Sequence, residues 1–111
     1  MSNPANEQTP SPVVQIAYLD DTLKLAKEIL EVLSWSQEVY DRMMDLIGEI
    51  RGTVIAIIHN PTATGDQRQQ AQSALKESRR LATAANKRHK QYAFALLKQQ
   101  QAREKRHRSD D

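Results

Sequence analysis

Apolar side chains recur with a helical period along residues 12–58, and they do so twice over. With Ile16 at position a of a heptad, the a and d positions run from Ile16, Leu19 and Leu23 through Tyr40, Met44 and Ile47 to Val54 and Ile58. Eleven of these thirteen positions are apolar, enough for one coiled-coil-like seam. The c and g positions run from Tyr18, Leu25, Ile29 and Val32 through Val39, Met43 and Leu46 to Ile50 and Ile57. Nine of these twelve are apolar too, which makes a second seam beside the first. The remaining positions collect charge, including Asp20, Asp21, Glu28, Glu31, Glu38, Asp41, Asp45 and Glu49. A helix with one neighbour needs one seam, so two seams call for at least two neighbours.

Helix breakers set the boundaries. Residues 1–11, MSNPANEQTPS, hold too little apolar surface to offset the entropy of ordering and are expected to be a disordered leader. Ser11-Pro12 is a helix start, with serine as the cap and proline in the first turn. In HNPTATGD, residues 59–66, Asn60 precedes a proline and is pushed out of the helical region. Thr64 and Gln67 have the spacing of a capping box and restart a helix. The pattern therefore predicts an all-α domain: a helix over about 12–58, a turn at 59–64, a helix over about 65–103 and a charged tail at 104–111. A short turn makes the two helices an antiparallel hairpin.

The second helix is poor in large apolar residues. Leu75, Leu81, Tyr92, Phe94, Leu96 and Leu97 are set among Ala71, Ala74, Ser78, Ala82 and Ala85, which can cover one stripe. Gly48, Gly52 and Ala56 recur every fourth residue and offer a matching groove for a close crossing. The seam left over comprises Leu25, Ile29, Val32, Val39, Met43, Leu46, Ile50 and Ile57, and a second chain is expected to cover it. A homodimer closing into a four-helix bundle is the simplest solution, because two-fold dimers are the commonest oligomers. A different helical protein is the alternative occupant.

Composition narrows the chemistry. The chain has no cysteine, which excludes disulfides and thiol chemistry, and no apolar run near the roughly 18–20 residues of a membrane span. A cytoplasmic location is the default expectation. The net charge of +2 conceals four Lys/Arg against nine Asp/Glu in residues 1–58, and twelve against five in residues 59–111. Either the halves pair with each other or the basic half meets an anion. Lys76, Arg79, Arg80, Lys87 and Lys90 are the candidate nucleic-acid contacts, although no DNA-reading motif accompanies them. A solvated or internally paired face is the plainer reading.

Trp35, the sole tryptophan, is either a partner anchor or a ring folded across Lys87 or Lys90, and we expect the second. His59, His89 and His107 lack metal-ligand spacing, and no phosphate loop or nucleophile–base ordering is present. No catalytic, cofactor-binding or metal residue is assigned. The expectation is a non-enzymatic protein–protein interaction module: a small adaptor, a secretion-type chaperone or a structural protein. Nucleic-acid binding through the basic helix is the alternative. The Ser-, Thr-, Pro-, Asn- and Gln-rich leader resembles the export leaders of bacterial type III secreted proteins, which would imply an exported effector.

Overall fold

The structure is a computed structural model that describes residues 10–31 and 34–109, with side chains through Arg106. Its three helices are α1 (Pro12–Leu30), α2 (Gln37–His59) and α3 (Gly65–Ser109), and no strand occurs among the described residues. The all-α class stands, but the first long helix of the hairpin is two helices. α1 ends at Leu30, where the Glu31 N–H turns back to the carbonyls of Glu28 and Ile29. α2 starts after Ser36, whose hydroxyl accepts from the Val39 N–H at 3.2 Å. The physical reason for the break is the double seam. A straight helix would leave one seam in water, whereas folding α1 back along α2 buries both within one chain.

This corrects the expected intermolecular seam. Met43, Ile50 and Ile57 are fully buried and Leu46 is nearly so, in a core shared with Leu19, Ala26, Val54, Leu81 and Ala85. Leu25, Ile29 and Val39 are half-buried at its edge, and Val32 lies outside the described residues. The cover that a second copy was to provide comes from α1 and α3. Each large apolar side chain in that core contributes up to about 1.5–3 kcal/mol, so the internal solution is strongly favoured.

α3 enters the bundle on small residues. Ala71, Ala74, Ser78 and Ala85 are buried, and the Ser78 hydroxyl donates to the Leu75 carbonyl at 2.7 Å, so that hydroxyl is not stranded. The small residues of α2 do not face this stripe. Gly48, Gly52 and Ala56 are exposed, and a Cβ built on Gly48 or Gly52 would meet no atom within 4 Å. The expected close crossing is absent because these residues fall at the e, b and f positions, opposite the two buried seams.

The α2–α3 corner is tied by polar groups. Thr64 and Gln67 bond reciprocally, N–H to Oε1 at 2.9 Å and N–H to Oγ1 at 3.1 Å. Asn60 ends α2 and reaches across to Gln15 of α1 at 3.1 Å. Beyond the corner the lengths no longer match. α2 has 23 residues and α3 has 45, which at about 1.5 Å per residue is roughly 35 Å against 68 Å. α3 therefore outruns the bundle, and every residue from Ala93 to Arg106 is exposed. The segment expected to be a charged tail from residue 104 is helical to Ser109, in keeping with its strong helix formers Glu, Lys and Arg.

Candidate docking surfaces

The last point of contact between α3 and the bundle is an aromatic cluster at the α1–α2 joint. The Trp35 Nε1–H donates to His89 Nδ1 at 3.2 Å, and the Arg88 guanidinium sits 4.8 Å from the indole centroid. Arg88 also donates to the Leu30 carbonyl, closing off the C-terminus of α1. His89 stacks on Tyr40 at 4.0 Å and on Tyr92 at 5.8 Å, and the Tyr40 hydroxyl donates to Asn86. Trp35 is half-buried and engaged within the chain. Its cationic neighbour is Arg88, not Lys87 or Lys90, because residue 88 is the one turned toward the joint.

Past this cluster α3 keeps its pattern and loses its cover. Ala93, Leu96 and Leu97 follow Ala85, His89 and Tyr92 at helical spacing, so the stripe that faces the core lower down continues into solvent. Leu96 is 44% exposed and Leu97 50%. Phe94, also exposed, lies elsewhere on the helix with the Lys98 ammonium 5.0 Å from its ring. Lys98, Arg103, Lys105 and Arg106 make this overhang basic.

A second surface lies at the opposite end. Val14 and Tyr18 of α1 and Glu49, Gly52, Thr53 and Ala56 of α2 line an open groove of about 550 Å³ with mainly apolar walls. Its floor is low because Gly52 and Ala56 carry almost no side chain. The Tyr18 hydroxyl donates to Glu49 Oε2 at 3.0 Å across the groove. That hydrogen bond and the carboxylate's negative charge hold the Tyr18 phenol above its ordinary pKa.

Among the described residues, two ion pairs bear on the expected pairing of acidic and basic halves. The ion pairs Lys27–Glu77 (3.5 Å) and Arg80–Glu77 (3.8 Å) both draw on a glutamate of the basic half. Lys76, Arg79, Arg80, Lys87 and Lys90 are all exposed on α3, as are Asp21, Glu38 and Asp45 on α1 and α2. Among the described residues no group of His, Asp or Glu is gathered for a metal, and no helix is long and apolar enough to cross a membrane. The overhang and the groove were both missed in the sequence. Leu96 and Leu97 were counted as cover for the first helix, and the signal that frees them is helix length once a break is placed at Ser36. No protein-family model, curated protein or solved structure matches this chain.

Proposed function

We propose that the chain is a non-enzymatic protein–protein interaction module whose docking element is the α3 overhang. The observation that carries this reading is the uncovered continuation of the core-facing stripe through Ala93, Leu96 and Leu97. A bundle that needed only to be stable would end α3 near Tyr92, or place polar residues beyond it. Keeping two leucines half in water forgoes up to about 1 kcal/mol each, which a partner helix would recover. The test is a capture experiment with the full chain immobilised in a native extract. Leu96→Asp with Leu97→Asp is expected to abolish capture while leaving the melting curve unchanged. Capture that survives both substitutions sinks the reading.

The five exposed cations Lys76, Arg79, Arg80, Lys87 and Lys90 support a second reading, nucleic-acid binding by counterion release. It requires an affinity that falls steeply between about 50 and 200 mM salt. A chain that fails to bind a generic duplex at the lower salt removes this alternative.

A further inference from the structure

We propose that the overhang docks on a second copy of this chain, in the α1–α2 groove lined by Val14, Tyr18, Gly52 and Ala56. The inference rests on the overhang being a docking element, as read above. Shape supports it first. Ala93 and Leu97 are one turn apart on the overhang, and Val14 and Tyr18 are one turn apart on the groove wall, so side chains can interleave along a matched length. Gly52 is a destabilising choice in mid-helix, and a Cβ built there would meet no atom of the described residues within 4 Å, so its missing side chain would let a leucine from another helix approach.

Charge supports it second. Residues 12–59 carry eight Asp/Glu against four Lys/Arg, and residues 93–109 carry five Lys/Arg against one Glu. Glu49 lines the groove, and Asp21 and Asp45 continue its flanks one turn further along the same faces. Arg103 flanks the overhang stripe. Two overhangs brought together would repel, whereas an overhang in an acidic-flanked groove is attracted.

The two surfaces sit at opposite ends of the molecule. The groove is formed by the start of α1 and the end of α2, and the overhang leaves from the α1–α2 joint. The contact is therefore head-to-tail rather than two-fold, so assembly is open-ended unless the rotation closes a ring.

Two variants test this by sedimentation. Gly52→Leu fills the groove and improves helix propensity, so it should fold at least as well as wild type. Leu96→Asp with Leu97→Asp disables the overhang and leaves the groove intact. Wild type is expected to grow through successive oligomers with concentration, and raising salt from about 50 to 500 mM should weaken association about tenfold. Each variant alone should be monomeric. Mixed, they should form a one-to-one pair and nothing larger, because each lacks a different half of the contact. Wild type that stays monomeric to about 1 mM overturns the inference, as does self-association that Gly52→Leu leaves unchanged. If self-association fails while the overhang variant still loses capture from an extract, the docking reading survives and only the second-copy partner falls. If the overhang variant changes neither, both fall.

Discussion

Asn60 shows how much one side chain can fix at a corner. It is buried, its amide N–H donates to Gln15 Oε1, and its Oδ1 accepts from the Thr62 N–H at 3.0 Å and hydroxyl at 2.8 Å. Its backbone carbonyl takes Arg68 Nη2 at 3.0 Å. Asn60→Ala leaves the Gln15 oxygen buried without that donor and should cost about 1–3 kcal/mol in a urea titration. A loss under a few tenths would mean water replaces the amide. Tyr18 offers a test by pH. Its phenol is held up by the Glu49 hydrogen bond and charge, so the folded state keeps the proton more tightly than the unfolded chain does. Its contribution to stability is present below the unfolded pKa of about 10 and is lost as pH rises through the folded value. Phenolate absorbance should show the Tyr18 phenol titrating late, and Glu49→Gln should bring it back toward the ordinary range.

At the scale of elements, the decisive fact is that α1 covers α2. Met43→Glu together with Ile50→Glu places two carboxylates where both native side chains are fully buried. Unpaired buried charge costs several kcal/mol per group, comparable to a net stability of about 5–15 kcal/mol, so the helical circular-dichroism signal should collapse. A folded monomer from that double variant would instead place Met43 and Ile50 at a dimer interface. The caps were legible in sequence: Ser11-Pro12 and the Thr64–Gln67 box both act as their residue types dictate. The break between α1 and α2 was not, for a physical reason. Leu30 and Leu33 keep the heptad in phase, and no proline or glycine interrupts residues 31–36. Periodicity reports which faces must be buried and is silent on which segment does the burying. Ser36, three residues before Val39, was the one local mark.

For the whole molecule, the mismatch between α3 and its neighbours sets a shape of 78 × 30 × 19 Å. The overhang makes no burial that the bundle needs, so a chain ending at Tyr92 should match wild-type stability within about 0.5 kcal/mol by denaturant titration. A loss above about 1.5 kcal/mol would show that residues 93–109 pack back on the bundle. The candidate surfaces were hidden in sequence because both depend on lengths. Leu96 and Leu97 carry the same apolar signal as Leu81, yet Leu81 is buried and they are not, since α2 begins at Gln37 and provides no cover beyond the joint. Tyr18 likewise shares a seam with the buried Met43, Ile50 and Ile57 and is itself exposed, and Val14 falls outside both seams.

The unbroken backbone of α3 passes from a packed regime into a solvated one without any change in its hydrogen-bond pattern. Amide hydrogen exchange would read this as one helix with two clocks. Amides near Ala71–Ala85 sit over the core and should exchange only through global opening. Those from Ala93 onward belong to a stretch that is marginal as an isolated helix and should exchange through local opening, orders of magnitude faster. The boundary should fall at the His89–Tyr92 stack, one turn wide, and a docked partner would be visible as the slow regime advancing toward Arg106.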